Sequence, residues 1–97
     1  MKKLFTILVG ISLNIFYGCT SSIPIPTNTI AQGERLNDLK QGRELFVYKC
    51  SGCHSLYPPS SYSQKEWNEI LPEMNTKAQT TTRESFLIKQ YIFTFSQ

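Results

Sequence analysis

In the run Cys50-Ser51-Gly52-Cys53-His54, two thiols and an imidazole stand at positions i, i+3 and i+4. That spacing puts all three on one face of a helical turn. Thiolates and imidazole bind zinc, but a structural zinc site takes four protein ligands. His54 is the sole histidine, and the one other cysteine, Cys19, is far upstream. A Cys-x-x-Cys pair also cycles between dithiol and disulfide, yet the folds that exploit this need a sheet with covering helices, more chain than about 60 residues provide. The remaining chemistry uses every member of the cluster. In the C-x-x-C-H pattern of covalent haem attachment, the thiols add to two vinyl groups as thioethers and the adjacent imidazole ligates the iron. The motif therefore predicts one covalent haem c held by Cys50, Cys53 and His54.

A haem iron has a second axial position. With no second histidine, bis-histidine ligation within this chain is excluded, and the only methionine besides Met1 is Met74. A thioether is a soft ligand that favours ferrous iron and raises the reduction potential. Met74 is the leading candidate for the sixth ligand. A gap-filling core methionine, ligation by the nearby amine of Lys77, and an open site are the alternatives.

The elements that must position these groups read as helices. A first helix is expected to start near Asn37 or Asp38, either of which can cap it, with Leu39, Gly42, Leu45 and Phe46 on one face leading into Cys50. A loop follows at Tyr57-Pro58-Pro59-Ser60-Ser61-Tyr62, then a short helix from Gln64 to Leu71 around Trp67, interrupted by Pro72. A capping box at Thr81-x-x-Glu84 opens the last helix, whose Leu87, Ile88, Tyr91, Ile92 and Phe95 recur at steps of three and four. No apolar–polar alternation is long enough to demand a sheet. The fold class is all-α, about three helices packed around one haem.

Gly42 and Phe46 in the first helix, with Ile88 and Tyr91 in the last, resemble the terminal-helix signatures of the class I cytochrome c family. The resemblance covers roughly Leu39 to Ile92. It implies that the two helices cross in contact, with Gly42 permitting the close approach and Phe46 packing near the haem. Trp67-x-x-x-x-x-x-Met74 looks like a pattern of short cytochrome domains. There the resemblance implies Trp67 against the haem and Met74 on iron. It further implies that a proline carbonyl, here that of Pro58 or Pro59, accepts the proximal imidazole's N–H.

The N-terminus reads as an export signal, with Lys2 and Lys3 ahead of an apolar run from Leu4 to Phe16 that is too short to span a membrane. Phe16-Tyr17-Gly18-Cys19 resembles a bacterial lipobox, in which the cysteine is lipidated and becomes the first mature residue; Phe16 and Tyr17 depart from its usual residues. Lipidation also accounts for the odd cysteine of an exported chain. The expected organisation is a signal peptide over 1–18, a lipidated flexible tether over 19–35 and a cytochrome domain over 36–97. The expected location is the periplasmic side of a bacterial membrane.

The formal net charge of +3 falls to +1 without Lys2 and Lys3, and no basic run interleaves with aromatic residues, so nucleic acid is not an expected partner. The chain is small enough that the cofactor must help to hold it together. The leading function is electron transfer between redox partner proteins, either as a tethered carrier or as a haem subunit of a complex, and not as an enzyme. A haem enzyme or a sensor of NO, CO or peroxide with an open or labile sixth site is the alternative.

Overall fold

The computed structural model describes residues 23–51 and 56–97; Cys19, Cys53 and His54 lie outside the described residues. Among the described residues there are three helices, α1 (Gly33–Cys50), α2 (Gln64–Ala78) and α3 (Thr82–Phe95), with a 3-10 turn at Pro59–Ser61 between the first two. There is no strand among the described residues.

The crossing of α1 on α3 is the broadest contact of the fold. From α1 it buries Leu39, Gly42, Phe46 and Cys50, and from α3 Leu87, Ile88, Tyr91 and Ile92, so each helix contributes one apolar stripe at helical spacing. Gly42 sets the separation. An added Cβ would overlap the carbonyl oxygen of Leu87 and stand 2.9 Å from the Tyr91 Cβ, so only glycine lets these backbones approach as they do.

α1 starts at Gly33, one turn before the expected Asn37 or Asp38. Neither side chain acts as a cap, because Gln32 occupies the N-cap position and its carbonyl takes the Leu36 N–H at 3.4 Å. The Asp38 carboxylate instead meets the Arg83 guanidinium of α3 at 3.4 Å. That ion pair, together with Glu34 in the first turn of α1, favours Asp38 as an intrahelical residue rather than a boundary.

α2 also runs further than expected, continuing through Pro72 to Ala78. A proline inside a helix removes one backbone hydrogen bond and crowds the preceding turn, at a cost of about 3 kcal/mol. Two features offset it. Ser63 and Glu66 form a capping box, the serine hydroxyl accepting the Glu66 N–H at 3.2 Å and the glutamate accepting the Ser63 N–H at 3.1 Å. Trp67 and Leu71 are buried ahead of the proline. The helix ends at Gln79, whose left-handed φ of 55° turns its N–H back onto the Thr76 carbonyl. The box opening α3 is as expected, with Thr81 Oγ1 accepting from the Glu84 N–H at 3.1 Å and Glu84 from the Thr81 N–H at 2.9 Å.

The Pro-rich stretch expected as a flexible tether is fastened to the helices from Ile23 onward. Arg43 on α1 donates Nε to the Pro24 carbonyl at 3.1 Å and Nη2 to the Ile23 carbonyl at 3.2 Å. Tyr91 on α3 donates its hydroxyl to the same Pro24 carbonyl at 2.6 Å. Pro26 is fully buried, Ile23 packs against the core, and a turn closed by the Ile30 N–H on the Thr27 carbonyl at 3.0 Å feeds Ala31 into the bundle. The physical reason is donor satisfaction: two largely covered donors need acceptors, and an irregular segment has carbonyls to spare. Burial pushes the Tyr91 hydroxyl up to about 12, although Arg43 opposes the shift.

Candidate haem cleft

α1 ends at Cys50, so the first residue of the haem motif sits at the tip of a helix whose other buried positions are locked against α3. Beside it opens a cleft of about 530 Å³ between the end of α1, the loop after the motif and the exposed side of α2. That size is within the range of cofactor sites, about 300–1,000 Å³. Cys50 and Met74 both line it, brought together from two different helices.

α2 supplies the cleft with a stripe. Trp67, Ile70, Met74 and Lys77 recur at steps of three and four and all border it, so the unbroken helix through Pro72 is what carries Met74 and Lys77 to the same wall as Trp67. Behind the wall, Trp67 is buried and meets Phe46 edge-on with centroids 6.4 Å apart. In front of it, Tyr62 packs edge-on at 5.1 Å, and Tyr57 meets Tyr62 at 6.0 Å. An aromatic series thus leads from the core to the rim, with Tyr57 and Tyr62 presenting apolar ring surface to the cleft.

The Trp67 indole N–H donates to the Pro59 carbonyl at 2.8 Å in a buried bond. This ties the loop that follows the haem motif to α2. The Pro58 carbonyl accepts the Ser61 N–H at 2.9 Å. Both carbonyls named for the imidazole therefore already carry one hydrogen bond, and each keeps a second lone pair. Phe46, Pro58 and Pro59 are not on the lining of the cleft, whereas Trp67 and Met74 border it directly.

Charges at the rim are balanced. Lys49, next to Cys50, meets Glu84 Oε1 at 2.9 Å and so pins the last turn of α1 to the first turn of α3. The Thr81 backbone N–H, with Lys49 beside it, holds the Glu84 carboxyl below the usual range. On α2, Lys77 pairs with Glu73 at 3.0 Å, an exposed i,i+4 pair of small energetic weight.

The residues present fit a haem. One candidate attachment cysteine and one thioether ligand candidate share an open cleft walled mainly by aromatic and aliphatic side chains, which is the setting in which protein groups tune a haem iron. Cys53 and His54 lie outside the described residues, so their contribution rests on the adjacency of the motif to Cys50. Sequence reasoning did not single out Tyr57, Tyr62 or Ile70. The signal was available in the aromatic residues flanking Pro58-Pro59 and in the i+3 step from Trp67.

Comparison with curated proteins and with solved structures yields no match. A family model described as dihaem cytochrome c matches residues 46–97, which take in the haem motif, the cleft and both later helices. That description names two haems where the motif count leads to one: the sequence has a single C-x-x-C-H and a single histidine. With the match spanning more than half of the sequence and the cleft lying within it, the chain belongs to the dihaem cytochrome c family and is a c-type cytochrome.

Proposed function

We propose that the protein transfers electrons through one haem c per chain, attached at Cys50 and Cys53 with His54 and Met74 as axial ligands. The proposed setting is the periplasmic side of a bacterial membrane, with lipidated Cys19 as anchor and other redox proteins as donor and acceptor. The observation that carries this reading is the convergence of Cys50 and Met74 on one apolar cleft. When bound, haem supplies a one-electron ferric/ferrous couple.

The chain's own residues act on that couple by holding and screening. Thioethers at Cys50 and Cys53 prevent loss of the group and supply core that the short chain lacks. The Met74 thioether would hold the iron together with His54, and in that role would keep small ligands off it and raise its potential. Trp67, Ile70 and Tyr62 exclude water from the cleft wall, while the exposed ring of Tyr57 sits at the rim where a partner docks. The count of one follows from one attachment motif and one histidine, so a second haem must come from another chain or segment.

Two measurements test this. A pyridine haemochrome assay against protein concentration is expected to give one haem per chain; two would overturn the count. In the ferric protein, a weak far-red charge-transfer band reports methionine sulphur on iron, and Met74→Ala is expected to abolish it and to let the ferrous protein bind CO. A wild-type protein that lacks the band and binds CO readily would replace the carrier reading with that of an enzyme or sensor.

A further inference from the structure

The fastening of residues 23–31 constrains where the domain sits. Arg43 and Tyr91 hold the carbonyls of Ile23 and Pro24, and Pro26 and Ala31 are buried, so this strap moves with the helices. Only four peptide steps separate Cys19 from Ile23. At about 3.5 Å per residue they span at most about 14 Å. A lipid on Cys19 would therefore hold the strap at the bilayer surface rather than dangle the domain on a long spacer.

The strap has the composition for that position. From Thr20 to Gly33 there is no charged residue, and Ile25 is 67% exposed and Ile30 49% exposed. Both isoleucines belong to a segment whose other apolar residues, Ile23, Pro26 and Ala31, turn inward. Outward isoleucines on an uncharged strap, next to an acyl anchor, gain by leaving water for the lipid interface.

We propose that residues 23–31 are the membrane-facing surface of the protein, with Ile25 and Ile30 immersed in the interface of the bilayer that lipidated Cys19 enters. The proposal rests on the reading of Cys19 as the lipid attachment site. The charged rim of the cleft, where Lys77 pairs with Glu73 on α2, lies outside this uncharged surface and stays in water. Because the strap is uncharged, the contact is insensitive to salt.

The test uses the full-length, haem-loaded, ferrous protein in phosphatidylcholine–phosphatidylglycerol vesicles, with a nitroxide on Ile25→Cys, Ile30→Cys or, at the cleft rim, Lys77→Cys. The labels at 25 and 30 are expected to collide more with lipid-soluble oxygen than with an aqueous nickel chelate, the label at 77 the reverse, and neither pattern to shift with added salt. The mass of the mature N-terminus is read on the same samples. An acylated chain whose labels at 25 and 30 stay in water overturns the proposal alone. A chain without acyl mass overturns the Cys19 reading and the proposal with it.

Discussion

Replacing Gly42 with alanine opposes two physical effects whose signs differ. In an exposed helix interior, glycine to alanine gains about 1 kcal/mol of helix propensity. At Gly42, however, the new Cβ overlaps the Leu87 carbonyl oxygen and stands 2.9 Å from the Tyr91 Cβ. The obstructing atom is backbone of a helix anchored by Ile88 and Ile92 on either side of Tyr91, so it has no rotamer through which to retreat, and the helices must separate. Overpacking of this kind costs up to about 3 kcal/mol, which leaves a net loss of about 2 kcal/mol. For a domain of this size, about 2 kcal/mol lowers Tm by about 8–16 °C. Thermal unfolding followed by far-UV circular dichroism on haem-loaded wild type and Gly42→Ala measures it. A Tm that is unchanged or raised would refute the close crossing, because propensity alone predicts a rise.

Trp67→Phe keeps an aromatic ring against Phe46 but leaves the buried Pro59 carbonyl without its 2.8 Å donor. The expected loss is about 1–3 kcal/mol, read as a lower denaturant midpoint with an unchanged m-value. Pro72→Ala restores a backbone donor in the middle of α2 and is expected to raise stability by about 2 kcal/mol, the helix gain of about 3 being reduced by the looser unfolded chain; an unchanged unfolding midpoint would contradict the continuous helix. Tyr91 titrates near 10.0 when unfolded and about 12 when folded. Its contribution is whole below pH 10 and is lost as pH rises towards 12. Stability measured across that window should fall less steeply in Tyr91→Phe than in wild type, the lysines being common to both; identical slopes would mean that Tyr91 is not shielded.

Much of this protein is legible in its residues. The C-x-x-C-H spacing is the one a porphyrin requires, so a haem protein is expected from it without coordinates, and the match to a c-type cytochrome family agrees. The apolar periodicity of α1 and α3, the Thr81 box and the lone Met74 are likewise local or compositional facts, and they yield three helices and a ligand candidate. The errors fall where a local rule was overridden by contacts distant in sequence. Pro72 ends a helix in isolation, but not one capped at Ser63 and held by the burial of Trp67 and Leu71. Asp38 is a good cap until Arg83 of another helix uses its carboxylate. Residues 23–31 have the composition of a spacer, and only folding places Arg43 and Tyr91 where they grip its carbonyls. The sequence alone pointed to haem c, because the candidate attachment motif is confined to five consecutive residues. The cleft, the approach at Gly42 and the fastened strap were decided by tertiary structure, because each depends on atoms that meet only when α1, α2 and α3 pack.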